Sequence, residues 1–291
     1  MNILVTGANG QLGQALRAAS ISFTNHRFVF TDVASSGDDE VIYLDITLID
    51  AIRTIAKSEK IDNIVNCAAY TNVEKAEMDI ETAQLLNSDA VHNLATVAKE
   101  RDISLIHIST DFVYNGSKAA PYVETDEKNP VNVYATTKYS GEKQIFASGC
   151  KYILFRTAWL FSKYGNNFMK TMIRLTGERD TLNVVYDQVG TPTYAPELAN
   201  IILKVIDENK IDLIGEYNFT CEGSVSWYDF AVMINYLSGH HCDIRPCSSE
   251  EYSSKVKRPS FSVLDKSKVK KAFGVTIPHW FVSLESCMKQ L

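Results

Sequence analysis

The 291-residue sequence contains no tract of Lys or Arg, no C-x-x-C pair, no apolar stretch approaching the length of a membrane span, and no proline before Pro121. Each absence removes a class of function. Without a basic tract, and with a net charge of −6, the chain is not expected to bind nucleic acid through backbone phosphates. Without a long apolar run it is not expected to span a membrane. Met1 leads straight into an apolar run, so no signal or transit segment is read and a cytoplasmic protein is expected. The six cysteines (Cys67, Cys150, Cys221, Cys242, Cys247, Cys287) are scattered, which suits reduced thiols. His240, His241, Cys242 and Cys247 cluster but fit no common zinc spacing, so no metal site is assigned. With 45% hydrophobic and 22% charged residues, the rest is an ordinary globular mix.

What is present is an alternation. The apolar runs NILVT, RFVFTD, DNIVNCA, SLIHIST and KYILFRTAW are separated by helical stretches at Leu12–Ser20, Thr47–Ser58, Ile80–Glu100 and Val133–Phe146. Strands and helices in turn predict an α/β fold: a Rossmann-type doubly wound parallel sheet whose ligands lie beyond the carboxyl ends of its strands. After residue 160 the pattern is less regular. Helices are expected near Asn166–Thr176, Glu197–Asp207, Trp227–Leu237 and Trp280–Lys289, with strands at LNVVYD and EYNFT. The expected organisation is a dinucleotide-binding domain over 1–158, with a later return at about 180–195, and a smaller mixed α/β substrate lobe over 159–291. No linker separates the two.

The first run ends in TGANGQLG, where Gly7, Gly10 and Gly13 recur every third residue. A glycine turn between a buried strand and a helix N-terminus lets backbone approach a ligand, and the free N–H groups favour phosphate. The second strand ends in Asp32, placed to accept from a ribose 2′-OH and to repel a 2′-phosphate. The following stretch, VASSGDDE, offers no Arg or Lys, so the sequence leans towards NADH over NADPH. The third run ends in small residues, Ala68 and Ala69, which let a ligand lie against backbone. In YATTK, Tyr134 and Lys138 stand at i and i+4 and share a helix face. A cation beside the phenol is expected to lower its pKa towards the working range of a general acid. Ser109 and Thr110, ending the fourth strand, offer a hydroxyl to a substrate carbonyl.

TGANGQLG, CAAYT, STDFVYNG and YATTK, in this order, resemble the extended short-chain dehydrogenase/reductases. The additional segments AAYTNVEKAE, LNSDAV, FRTAWLF, GNNFMKTM, DQVGTPTYAPELA, SWYDFA and RPSFSVLD resemble the dTDP-4-dehydrorhamnose reductase family over nearly the whole chain. The resemblance implies reduction of a nucleotide-linked 4-keto-6-deoxy sugar by a nicotinamide cofactor, NADPH or NADH, as the last step of dTDP-L-rhamnose synthesis. It implies Tyr134 as proton donor, Lys138 on the nicotinamide ribose and Thr110 on the carbonyl. Gly10, Gln11, Leu12 and Gly13 would meet the pyrophosphate, Asp45 and Ile46 the adenine side, and Ala68, Ala69, Tyr70 and Thr71 the middle of the cofactor. Thr110 and Asp111 would touch the sugar, and Trp159 would pack on its face.

Some members of the family are magnesium-bridged dimers that use a Glu in the first helix. This chain has Gln14-Ala15-Leu16 there, so the bridge is not expected, and a monomer or homodimer remains open. The same glycine turn, Y-x-x-x-K and R-P segment also occur in the non-catalytic regulatory β subunit of methionine adenosyltransferase; FRTAWLF and GNNFMKT favour the reductase. A nucleotide-sugar epimerase is a further alternative. A dehydratase is disfavoured because Asp111-Phe112 stands where that chemistry needs Asp-Glu.

Overall fold

The structure is a computed structural model and describes residues 1–291 apart from Ser35, Ser36, Asp38, Asp39, Ser253 and Lys255. Part of the VASSGDDE stretch thus lies outside the described residues. The strands β1 (Asn2–Thr6), β2 (Arg27–Asp32), β3 (Val41–Tyr43), β4 (Asn63–Asn66), β5 (Ser104–Thr110) and β6 (Lys151–Thr157) form one parallel sheet in the order 3-2-1-4-5-6. A seventh strand, Gly215–Asn218, pairs parallel with the outer edge of β6.

Alternate residues of β1 point to opposite faces of the sheet, and both faces are covered. Ile3 and Val5 pack on Leu12 and Leu16 of α1 (Gln11–Ser20). Leu4 packs on Ile52 of α2 (Ile49–Ser58) and Leu94 of α5 (Ala90–Glu100). Because both faces are buried, an unbroken apolar run is the pattern the strand requires.

Between β4 and α5 the chain makes two short helices, α3 (Val73–Ala76) and α4 (Ile80–Gln84). The single helix expected over Ile80–Glu100 is broken by a π-helical turn at Leu85–Asp89. The turn places Asn87 in the interior, where its amide binds Tyr70 and Thr137 in place of solvent. The helix expected from Thr47 starts later, at Ile49, because Asp45 Oδ1 accepts from the Thr47 N–H and hydroxyl and holds a turn there. The next helix, α6 (Val133–Ser148), is capped by Asn132, whose side chain accepts from the Ala135 N–H at 2.8 Å.

The smaller lobe contains α7 (Phe168–Glu178), α9 (Trp227–Leu237) and α11 (Trp280–Met288) around Phe161, Met169, Phe230 and Leu284. The return to the sheet differs from the expected 180–195. Thr181–Val185 pairs with Asp243–Cys247 in a separate two-stranded sheet. The chain that comes back is α8 (Ala195–Asp207) and the strand Gly215–Asn218, followed later by α10 (Ser267–Phe273). The strand Thr181–Val185, which contains most of LNVVYD, has one exposed face, with Thr181 and Asn183 open to solvent, which suits a small peripheral sheet; α8, with eight buried apolar or alanine positions, is the element that can cover α1.

All six cysteines are free thiols. Among the described residues no helix is long and apolar enough to cross a membrane, and no group of three or more His, Cys, Asp or Glu side chains is placed to hold a metal ion. His240 hydrogen-bonds the Thr176 hydroxyl at 2.9 Å. At the first helix, Gln14 donates to the Asn9 carbonyl and Ala15 is buried.

Candidate active site

β1 and β4 are neighbours, but the helices that follow them pack on opposite faces of the sheet, α1 on one and α5 on the other. Their diverging ends open a crevice. It holds a cleft of about 750 Å³ that runs from the glycine turn to the smaller lobe.

At one end, Gly7, Gly10, Gln11 and Leu12 line the cleft. Gly7 adopts φ +66°, and a Cβ there would lie 2.6 Å from the Ala68 nitrogen, so this position requires glycine. Gly10 caps α1 without a side-chain hydrogen bond, and the first turn carries no acidic residue. The helix therefore presents unpaired N–H groups and the positive end of its dipole to the cleft, an arrangement that fits a dinucleotide's pyrophosphate. Gly13 does not line the cleft. It is buried, and a Cβ there would lie 2.2 Å from the Gly7 carbonyl oxygen, so its glycine serves the packing of helix on turn.

Asp32 lines the cleft, and its carboxylate accepts from the Asn9 N–H and the Ala34 N–H, each at 3.0 Å. It therefore holds the glycine turn as well as facing the crevice. Arg17 of α1, outside VASSGDDE, lies over the ring of Phe30, two residues before Asp32. Asp45 and Ile46 line the same end, as do Ala68, Ala69 and Thr71. Tyr70 does not: its hydroxyl donates to Asp79 at 3.0 Å and its N–H to Asn87 at 2.9 Å. The segment between Ala69 and Thr71 is thereby clamped from behind.

In the middle of the cleft stand Thr110, Asp111, Tyr134 and Lys138. Of the two hydroxyls ending β5, Ser109 donates to Glu142 at 2.5 Å, which leaves Thr110 beside the phenol. Thr110 in turn donates to Asp111 Oδ1 at 3.1 Å. The expectation that Lys138 lowers the phenol's pKa is not met. Burial pushes Tyr134 up to about 12, with the Asp111 charge adding to the rise and the Thr110 hydrogen bond opposing it. The Lys138 ammonium instead donates to the Ile108 carbonyl at 2.7 Å. Burial brings Lys138 itself down to about 8, against the nearby Glu142. A phenol kept protonated at neutral pH is suited to giving a proton, the direction a reduction needs. Burial likewise pushes the Asp111 carboxyl up to about 7, against hydrogen bonds from Ser262 and Thr110.

Towards the smaller lobe, Trp159 lines the cleft in a left-handed backbone conformation, φ +47°. For so bulky a residue this is a strained geometry held by its surroundings. Its indole stacks on Trp227, centroids 3.4 Å apart and planes 9° from parallel, and Gly190 leaves room at the ring edge, where a Cβ would come within 2.8 Å. One indole face is thus covered by Trp227, which the sequence reading did not anticipate.

Several other residues shape the site without having been singled out. Arg156 is fully buried and pairs with Glu142 through Nε at 2.9 Å and Nη2 at 2.6 Å, while also meeting Glu216 and the Tyr114 hydroxyl. This network ties β6 to α6 one turn beyond Lys138. The sequence signal was an Arg set inside the apolar run KYILFRTAW. Gln11 accepts from Ser162 and Asn167, joining the glycine turn to the smaller lobe. Arg258 also lines the cleft.

This fold and cleft define a dinucleotide-binding α/β protein of the short-chain dehydrogenase/reductase type. The chain belongs to the RmlD substrate binding domain family, which matches residues 1–291. It is 36% identical to the dTDP-4-dehydrorhamnose reductase of Aggregatibacter actinomycetemcomitans, over 98% of this chain and 97% of that one. A dTDP-4-dehydrorhamnose reductase structure from Clostridium acetobutylicum matches with a TM-score of 0.92 and 40% identity, covering 100% of this chain and 99% of that one. A Bacillus anthracis dTDP-4-dehydrorhamnose reductase solved with NADP matches with a TM-score of 0.88 and 32% identity, over 100% and 99%.

Proposed function

We propose that this chain reduces the C4 keto group of dTDP-4-dehydro-6-deoxy-L-mannose to dTDP-L-rhamnose, with Tyr134, Thr110 and Lys138 as its catalytic residues. The observation that carries the reading is one continuous cleft joining the open amide end of α1 to a protonated phenol with a hydroxyl beside it. Kinship along the full chain with named reductases supports it.

The bound nicotinamide supplies the hydride to C4. Residues 10–12 would hold the pyrophosphate on backbone amides, and the small alanines at 68 and 69, just beyond β4, would let the dinucleotide approach the backbone. The Thr110 hydroxyl donates to the substrate carbonyl and orients it. Tyr134 gives its proton to the oxygen as charge develops there, so the alkoxide never has to exist free. Lys138, anchored on the Ile108 carbonyl, would set the nicotinamide ribose in place. Asp111 and Trp159 border the sugar. In this reading residues 1–158 with 195–219 form the cofactor-binding body and most of 159–291 the sugar-binding lobe. Asp32 favours NADH, because a 2′-phosphate would sit against its carboxylate.

The test is loss of nicotinamide absorbance with the keto sugar, generated with its upstream epimerase, against NADH and NADPH in turn. Oxidation that needs the keto sugar supports the reading. Absence of oxidation with either cofactor, in a protein that binds nucleotide, would shift the assignment to a non-catalytic subunit or an epimerase.

A further inference from the structure

Gln11 is the first residue of α1, and its backbone and side chain serve different parts of the molecule. Its N–H belongs to the first turn of the helix, among the amides that would meet the pyrophosphate. Its side chain crosses to the segment 160–167, which lies 149 to 156 residues along the chain at its three points of attachment. Oε1 accepts from Asn167 Nδ2 at 2.9 Å and from the Ser162 hydroxyl at 3.1 Å, and Nε2 donates to the Leu160 carbonyl at 3.4 Å. The far partner fixes the orientation of the amide. Asn167 uses its own Oδ1 to cap α7, accepting from the Lys170 N–H at 3.0 Å, so its NH2 is left to face Gln11, which must present oxygen. Gly165, at φ +56°, lies against the same side chain: a Cβ there would come 3.1 Å from the Gln11 Cγ.

The segment that Gln11 holds joins the two ends of an aromatic wall. Trp159 precedes it. Phe168 follows it, with a ring centroid 4.5 Å from that of Trp227, which in turn covers the Trp159 indole. A second attachment ties the segment to the smaller lobe: Leu160 and Phe161 pair with Thr193 and Tyr194, and the Trp159 carbonyl accepts from the Thr193 N–H at 3.2 Å. Residues 160–167 are thus strung between the lobe and the first turn of α1.

We propose that Gln11 is a positioning residue that couples the two halves of the cleft: a dinucleotide held on its N–H fixes its side chain, and the amide then holds residues 160–167, with Trp159 and Trp227, in the arrangement that receives the sugar. This rests on the reductase reading above. Ordering the segment costs conformational entropy, and a cofactor that has already ordered it spares the sugar that cost. The two ligands therefore bind with positive coupling, and by linkage each raises the affinity of the other by the same factor. Two part-buried hydrogen bonds on Oε1 place that factor at about five- to 150-fold.

The test is calorimetric titration of the full chain with dTDP-L-rhamnose, with and without saturating NADH. Sugar and cofactor are then both in the reduced state, so nothing turns over. The readout is the ratio of the two affinities, because a change that merely loosens one site shifts both affinities and leaves their ratio as it was. In the wild type NADH should tighten the sugar nucleotide about five- to 150-fold, and the reciprocal titration should return the same factor. Gln11→Met keeps the length of the side chain and removes its acceptor, and it should bring the ratio close to one. Asn167→Ser retains a capping oxygen for α7 and loses the amide donor, so it should remove part of the coupling. Because the two residues share one link, the double variant should lose no more than Gln11→Met alone. A lower ratio in both single variants, with no further loss in the pair, supports the proposal. Wild-type coupling in either single variant overturns it, as does a wild type that binds both ligands without coupling; each leaves the reductase reading standing. A wild type that binds NADH but neither binds dTDP-L-rhamnose nor reduces the keto sugar removes the reading on which the proposal rests.

Discussion

The two halves of the cleft are built in different ways. The half at the glycine turn is mostly backbone: the turn itself, the amide end of α1 and the alanines at 68 and 69, contributed by the ends of adjacent strands. The half facing the smaller lobe is mostly side chains: Trp159 and Trp227 stacked together, Asn166 and Asn167, and Arg258, drawn from segments scattered over a hundred residues. On the proposed reading, the backbone donors would meet what all dinucleotides share and the side chains what one sugar has. Substitutions should therefore act on catalysis, sugar affinity or cofactor choice according to which half they touch.

The largest effect belongs at the boundary. Tyr134→Phe should cost about 10²- to 10⁴-fold in kcat with cofactor affinity retained; single-turnover rates and nucleotide titration separate the two, and a near-wild-type rate would remove Tyr134 as the acid. Asp111→Asn tests the same boundary through stability. The folded carboxyl titrates near 7, raised from 3.8 by burial. Its contribution is therefore fully present below the unfolded value and is lost as pH rises through about 7. The variant should gain on the wild type between pH 5 and pH 8, by about 3 kcal/mol at most, and melting curves at the two pH values check this. A difference that stays constant between pH 5 and pH 8 would mean that Asp111 is ionised in the fold.

Within the sugar half, Trp159→Ala should raise the KM for the keto sugar about tenfold while moving that for the cofactor little. The reverse order would make the Trp159–Trp227 stack a piece of core. The smallest effect is expected in the cofactor half, where Asp32→Ala should narrow an NADH over NADPH preference by a few-fold, read from the ratio of kcat/KM values. An unchanged ratio would confine Asp32 to its bonds with Asn9 and Ala34.

The same division governs what could be read in advance. RFVFTD and SLIHIST match β2 and β5 end to end, and Trp227–Leu237 matches α9, because buried strands and amphipathic helices carry their own periodicity. That residues 7, 10, 11 and 12 line the cleft follows from a glycine turn that is local. Not legible were the packing of the Gly13 helix on its turn and the turn of the Tyr70 side chain away to Asp79, which keep both out of the cleft lining. The π-helical turn at Leu85–Asp89 left no local trace either, since it exists to bring Asn87 to residues on two other segments. The return at 195–219 was misplaced for a related reason: short strands announce their existence but not their partners.

The sequence by itself determined the alternating architecture, the glycine turn and the spacing that puts Tyr134 and Lys138 on one helix face, because these depend on neighbours a few residues apart. Only the tertiary structure decided their electrostatics. Whether Lys138 lowers the phenol or turns to the Ile108 carbonyl, which of the Ser109 and Thr110 hydroxyls is taken up by Glu142, and which carboxylate meets Arg258 are set by desolvation and by partners 30 to 184 residues away. A residue's charge state depends on what burial removes from around it, and that is known only once the chain has closed.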